Sequence, residues 1–390
     1  MNEKKKLQPK VRFREFTGEN APDWEQRKLG EVFSETISYV DPKLEDLELW
    51  SVTTENGLVP KESRYNRQFL VKKTDKFKKI FPNEIVYNPM NMTLGSIGFN
   101  NLNKVVAVSG YYVTMKLKLG FNSMYFAAWL PSNKAIRLYK IFATGSLTER
   151  QRIQFSTLKD IKTCIPLESE QRIIGQFFEK LEELITLHQR KLEQLEQLKN
   201  TLLSKMFPKS GTNIPEIRFF GFTDAWKQRK LEEIIVKEIK GKAKSENIST
   251  NFANKGSLYL DTEYLNGGKP KYVSLPSDTD ENDIIILWDG SQAGKLYKGV
   301  VGALGSTLKA YKIPEHTLFY YYQMLGSQEK IYNQYRTPNI PHVVKSFTSE
   351  FMIWDTSNDE KTLIIDIYSN LFNYIAIHQR KPLADLFNNF

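Results

Sequence analysis

The residues best suited to metal or nucleophilic chemistry are four histidines, His188, His316, His342 and His378, and one cysteine, Cys164. None of the histidines is spaced with another His, a Cys or a carboxylate as a metal site needs. The sequence holds no Gly-x-x-x-x-Gly-Lys-Ser/Thr loop, no Gly-x-Gly-x-x-Gly turn and no Gly-x-Ser-x-Gly elbow. Local signatures of phosphate cradling, dinucleotide binding and serine hydrolysis are therefore missing. Carboxylates abound, but no spacing singles out an acid/base pair. Cys164 sits in an apolar stretch and reads as a small buried side chain. A lone cysteine excludes an internal disulfide and fits a reducing cytoplasm. The chain reads as non-catalytic, with no metal and no cofactor of its own.

What the polar residues do offer is recognition. The stretch 91–103 is rich in Gly and Asn, and Asn91, Thr93, Ser96, Asn100, Asn101, Asn103 and Lys104 combine small polar donors with flexible glycines. Ser291, Gln292, Lys295, Tyr297 and Lys298 do the same later in the chain. Asn and Gln pair with base edges, while Ser, Tyr and Lys reach phosphates. The segment Lys61–Lys79 holds eight Lys/Arg against two acids, with Lys61, Arg64, Arg67, Lys72 and Lys73 among them. Arg150 and Arg152, and Arg336 with Asn339, fall in irregular stretches before two long helical patterns. Each of these loops also has a bland reading as an ordinary turn. Asn88-Pro89-Met90-Asn91 is similar to the Asn-Pro-Pro-Tyr/Phe motif of amino-methyltransferases, but it lacks the second proline and the stacking aromatic, and reads as a turn.

Two helical patterns must position these groups. From Glu170 to Phe207 apolar residues recur at alternating steps of four and three: Ile174, Phe178, Leu181, Ile185, Leu192, Leu195 and Leu202. His188 and Lys199 fill the gaps. This predicts a helix with a coiled-coil seam. From Glu360 to Lys381 the pattern returns 190 positions later, with Ile364, Tyr368, Leu371, Ile375 and His378 in register. His188-Gln189-Arg190-Lys191 becomes His378-Gln379-Arg380-Lys381. A polar residue at a seam position usually sets register and partner, which is the expected role of both histidines.

The front of each copy repeats as well. Trp24-Glu25-Gln26-Arg27-Lys28-Leu29 returns as Trp226-Lys227-Gln228-Arg229-Lys230-Leu231, each after an Arg-Phe element, Arg12-Phe13 and Arg218-Phe219. The order is globule, long helix, globule, long helix. Between these markers the globules hardly match. Strands are expected at 47–53, 84–88, 104–109 and 111–118, and at 283–287, 300–304 and 308–313. Short helices are expected at 123–130, 134–142, 318–325 and 328–335. The fold class is α+β: two mixed α/β domains, each followed by a long helix, with each helix the expected coiled-coil partner of the other. The expected divisions are 1–166, 167–207, 208–357 and 358–390.

With 390 residues, 41% hydrophobic and 26% charged, the chain has room for two cores. No run approaches the ~18 apolar residues of a membrane span, and the basic N-terminus has no apolar segment behind it, so no secretory signal is read there. The net charge is +10, yet Glu168–Phe207 carries seven acids and six bases. The positive excess sits on the globules, which points to a polyanion such as nucleic acid.

The combination resembles the specificity subunits of type I restriction–modification systems. The motifs are Trp24-Glu25-Gln26-Arg27-Lys28-Leu29, Ile165-Pro166-Leu167-Glu168-Ser169-Glu170-Gln171 and His188-Gln189-Arg190-Lys191-Leu192. The resemblance implies that each globule reads one half of a split double-stranded DNA site. It also implies that the two helices pair as an antiparallel coiled coil between the recognition domains, act as a ruler and dock methyltransferase subunits, and that restriction subunits join this core. S-adenosylmethionine, Mg and ATP would belong to those partners. Two departures stand out. Pro382 occupies the place of Leu192, which predicts a shortened or replaced end of the second helix. The Ile-Pro-Leu lead-in becomes Trp354-Asp355-Thr356.

Two other classes compete. A coiled-coil scaffold, or an assembly-defective variant, would bind DNA weakly or not at all. A self-contained methyltransferase or nuclease would need a cofactor loop or a metal–carboxylate cluster.

Overall fold

The computed structural model describes residues 9, 11–18, 21–61, 76–145, 151–249 and 256–379. It divides into two compact units, one built on residues up to Leu187 and the other on His188 onward. The division falls inside one continuous helix, α1 (Glu168–Lys205). A second long helix, α2, spans Asn358–Gln379. Both begin two residues before the expected Glu170 and Glu360. The Ser357-x-x-Glu360 pattern explains the start of α2: the Ser357 hydroxyl accepts the Glu360 backbone N–H at 3.4 Å. Pro382, on which the shortened-helix expectation rests, lies outside the described residues.

The repeated sequence builds the same frame twice. Glu25–Lys28 forms a strand antiparallel to Lys162–Ile165, which leads into α1. Lys227–Lys230 pairs in the same way with Met352–Asp355 ahead of α2. A buried ion pair fastens each frame. Arg12 donates to Glu170 through Nε at 2.7 Å and Nη2 at 2.6 Å, and the Trp24 indole donates to the same carboxylate at 3.2 Å. In the second unit Arg218 Nε and Nη2 reach Glu360 at 2.7 and 2.9 Å, and the Trp226 indole at 3.1 Å. The repeated Arg-Phe element, the Trp and the Glu in the first turn of each long helix are thus one device. The fork of Arg matches a carboxylate bidentately, and a carboxylate in the first turn suits the positive end of the helix.

The two lead-ins differ in chemistry. In the first unit Gln171 donates to the Pro166 carbonyl at 2.8 Å and accepts the Asn122 backbone N–H at 2.9 Å. In the second, Lys361 stands where Gln171 stands and Asp355 where Ile165 stands, and the two form an ion pair at 2.5 Å. Tyr320 adds a hydroxyl to Asp355 at 3.1 Å, and Arg229 approaches at 3.3 Å. Where the first lead-in has buried Ile165 and a hydrogen-bonded Gln171, the second has an ion pair. Burial works to raise the Asp355 pKa, but the bonds from Lys361, Tyr320 and Arg229 outweigh it and hold the carboxyl below its ordinary range. A depressed folded-state pKa gives stability that is present above the ordinary carboxylate range and lost as pH falls through it. Lys361→Ala should cost about 1–3 kcal/mol at neutral pH. It should also flatten the acid side of the stability profile, measured by urea unfolding against pH.

The globules share a sheet despite their unlike sequences. In the first unit four antiparallel strands lie in the order Phe33–Thr36, Val113–Leu117, Ile85–Tyr87, Ile97–Phe99. In the second the order is Lys237–Lys240, Leu308–Lys312, Asp283–Leu287, Leu296–Lys298. First strand, last strand and middle hairpin correspond. Alternation did not reveal this because central strands such as Asp283–Leu287 are buried on both faces. Further small sheets differ: Tyr39–Val40, Phe77–Ile80 and Val106–Ser109 in the first unit, and a four-stranded sheet ending on Ala303–Leu304 in the second. The expected strand at 300–304 shrinks to Ala303–Leu304.

Each long helix packs its early turns on its own globule. Gly175 lies against the helix Ser123–Trp129, where a Cβ would come within 2.7 Å of the Tyr125 nitrogen. Ile174 packs on the first core, while Phe178, Leu181 and Ile185 are half-buried. In the second unit α2 runs antiparallel to the later part of α1. His188 meets His378, Lys199 lies over Phe372, and Phe207 stacks on Tyr368 at 6.1 Å. Leu192, Leu195 and Leu202 join Ile364, Tyr368, Leu371 and Ile375 in one core. The helix pair and the second globule thus share a hydrophobic cluster.

Candidate nucleic-acid interface

The strongest candidate site is a loop pair that both units build alike. In the first unit the middle hairpin turns through 88–96, with a short 3-10 turn at Met92–Leu94. The segment before α1 grips this turn, as the Ile153 N–H donates to the Pro89 carbonyl at 3.0 Å. In the second unit the corresponding turn is 288–295, and the Val343 N–H donates to the Trp288 carbonyl at 2.9 Å. Ile153 and Val343 stand 190 positions apart, as do the two histidines. A hairpin turn and a pre-helix segment therefore meet on each frame.

The side chains at these turns differ. In the first unit Asn91 and Arg152 are exposed. In the second, Ser291, Gln292 and Asn339 are exposed, and Arg336 donates to the Ser291 carbonyl at 3.2 Å while its guanidinium lies 5.3 Å from the Tyr332 ring. Lys295 reaches Asn266 at 2.6 Å and lies over Tyr297. Lys298 is exposed at the far end of its strand. The turn 288–294 needs its glycines: Gly290 and Gly294 have φ of 117° and 94°, a region that only glycine enters freely.

Several expected contacts belong to the fold instead. Asn100 is fully buried; its amide donates to the Ile80 and Lys104 carbonyls at 3.0 Å, and its oxygen accepts the Leu102 N–H at 3.1 Å. Ser96 is buried and donates to the Val52 carbonyl at 3.3 Å. Thr93 is buried in the 3-10 turn, and Tyr297 is buried with its hydroxyl on Asn266 at 3.4 Å. The bonded atoms of Asn100, Ser96 and Tyr297 already spend hydrogen-bonding capacity inside the protein. The stretch 91–104 is also not one loop. The strand Ile97–Phe99 splits it, leaving Asn91 at one end and the exposed Asn101, Asn103 and Lys104 at the other. Lys104 is paired with Glu48 at 2.6 Å.

The basic segment is partly visible. Lys61 lines an open groove of about 470 Å³ with Tyr39, Trp50, Lys76, Tyr111 and Tyr112. Tyr39 and Tyr111 are strongly exposed, and Lys76 and Lys78 lie 5.8 and 5.9 Å from the Tyr39 ring. Composition pointed to the lysines of this groove, but its aromatics come from distant strands and carried no local signal. Arg64, Arg67, Lys72, Lys73 and Arg150 lie outside the described residues. Among the described residues no group of three or more His, Cys, Asp or Glu could hold a metal ion. No described helix is long and apolar enough to cross a membrane.

Residues 22–197 match the family model of the type I restriction modification DNA specificity domain. The match takes in the first globule and most of α1. It is 33% identical over 126 residues to the type I restriction enzyme MjaVIII specificity subunit of Methanocaldococcus jannaschii, a match covering 30% of this chain and 29% of that protein. The chain thus spans under a third of that relative. Among solved structures, the type I system S subunit of M. genitalium has a TM-score of 0.61 at 16% identity, covering 93% of this chain and 92% of the other. A chain from a type I restriction–modification assembly has a TM-score of 0.51 at 15% identity, covering 92% of each. At these identities the likeness is one of fold, and it runs over both units of the chain.

Proposed function

We propose that the chain is the DNA-recognition subunit of a type I restriction–modification complex, non-catalytic in itself, reading a split, asymmetric site on double-stranded DNA. One observation carries this reading: one frame, built twice, presents the same hairpin turn and pre-helix segment with unlike side chains. Two equal frames with unlike tips suit two unlike half-sites. The first reader comprises 1–166 and the second 208–357, with 167–207 and 358–390 as the connecting helices. Asn91 and Arg152 serve the first half-site, and Ser291, Gln292, Arg336 and Asn339 the second. Lys61, Lys104, Lys295 and Lys298 contact phosphates, as do Arg64, Arg67, Lys72, Lys73 and Arg150 of the basic segments; Asn101 and Asn103 lie beside Lys104.

Methyltransferase subunits dock on the long helices. Leu184 and Leu187 on α1 are exposed, and so are Tyr374 and Ile377, which stand 190 positions later on α2. An apolar pair repeated on both helices suits two copies of one partner. Restriction subunits join that assembly, and S-adenosylmethionine, Mg and ATP belong to the partners. The compartment is the cytoplasm, where the DNA is.

Selection of duplexes from a random pool by the purified complex with its methyltransferase subunit tests this reading. Two short blocks at a fixed gap are expected; a single continuous block contradicts it. Lys61→Ala and Lys104→Ala should weaken binding to all sequences alike. Removing one phosphate-bound cation should reduce the log–log salt slope by about 1. Binding curves at several salt concentrations measure it.

A further inference from the structure

We propose that His188 and His378 form a two-histidine site for a borderline transition-metal ion, Zn²⁺, Ni²⁺ or Cu²⁺, which ties α2 to α1. The rings face each other across the antiparallel pair, with Nδ1 3.1 Å from Nδ1 and centroids 5.2 Å apart. Two imidazole nitrogens each about 2.0–2.1 Å from one ion stand roughly 2.9 Å apart at a right angle and 3.4 Å apart at the tetrahedral angle. The observed spacing falls between these limits. Without an ion, one nitrogen must donate and the other accept, so the pair shares one proton. For an ion to bind, the donor ring exchanges its Nδ1 proton through solvent for one at Nε2, so that each Nδ1 offers a lone pair to an ion lying beside the N···N line.

The duplication explains the placement. Because the helices run antiparallel, positions 190 apart meet each other here, and the repeat supplies a histidine from each copy. A seam position that meets its own copy is where one repeated residue yields two ligands. Beside the pair, Gln379 donates to Glu196 at 3.1 Å, holding the same stretch of helix in place. The protein provides two ligands, so water completes the shell. Imidazole favours Cu²⁺, Ni²⁺ and Zn²⁺ over Mg²⁺. The other two histidines have separate surroundings: His316 adjoins Thr362, and His342 adjoins Thr337.

The test uses the full chain without a histidine tag. Zn²⁺ or Ni²⁺ is expected to raise its Tm by a few degrees, with Mg²⁺ giving no rise. The rise should vanish in His188→Ala and, separately, in His378→Ala, and persist in His316→Asn. Should an alanine variant prove poorly folded, Cu²⁺ paramagnetic resonance on the His188→Gln chain gives a second readout. Coupling to two imidazole nitrogens is expected in the natural chain and to at most one in the variant. A metal-induced shift of equal size in the natural chain and both alanine variants, or coupling that is the same in His188→Gln, overturns the proposal.

Discussion

Glu360→Ala is expected to destabilise the second unit by about 3–5 kcal/mol. The carboxylate is 1% exposed and its Arg218 partner 10%. Removing it leaves a guanidinium out of water with no counter-charge. It also strips the Trp226 indole and the Thr356 hydroxyl, 2.5 Å away, of their acceptor. An alanine in the first turn costs nothing in helix propensity, so the loss reports the buried network. Glu360→Gln, which keeps an acceptor for the indole and the hydroxyl, should lose less than Glu360→Ala. The same logic applies to Glu170→Ala through Arg12 and Trp24, whose ion pair is 5% and 0% exposed. Urea unfolding of the natural and variant chains checks both, and a change below about 1 kcal/mol, the range of a surface pair, would contradict the role given to these carboxylates.

Changing Gln292 and Arg336 together to Ala should alter recognition of one half-site and leave the other as it was. A good bidentate contact to a base is worth about 1–3 kcal/mol of discrimination. The double variant should therefore prefer its second half-site about 10- to 100-fold less strongly over mismatched duplexes. Arg336 rests on the Ser291 carbonyl and on Tyr332, so its loss also loosens the turn. The mirror experiment, Asn91 and Arg152 to Ala, should affect the other half alone. Competition binding with duplexes altered at one half or the other measures both. Loss of preference at both halves from either variant would contradict the assignment.

The long helices and the repeat were legible because helix periodicity and identical strings are local signals. Each expected strand overlaps an observed one, Asp283–Leu287 to the residue, but many described strands, among them Phe33–Thr36, Phe77–Ile80, Lys237–Lys240 and Ser257–Leu260, gave no clear pattern. The shared sheet was hidden, since pairing first strand to last joins residues about 80 apart, as Thr36 and Thr114 are. The site was half legible. Asn91 and Gln292 lie in turns, where composition speaks, while Arg336 bridges Val343 in the segment before α2. Asn100 looks the same in sequence but faces inward, and only the three-dimensional path shows that its amide holds Ile80 and Lys104. The Arg–Trp–Glu clamp was visible only as scattered repeats, because its members come together across 158 and 146 residues. The altered lead-in at Trp354-Asp355-Thr356 looked like decay until Lys361 appeared beside Asp355.

Methylated-base sequencing of cells that co-express this chain with the methyltransferase subunit proposed to dock on it tests the two-reader account most directly. The account predicts one split motif, two short unlike half-sites around a fixed gap, with only one half changed in the Gln292/Arg336 double variant. A continuous motif, or no methylation beside a partner shown to be active with another specificity subunit, would contradict it.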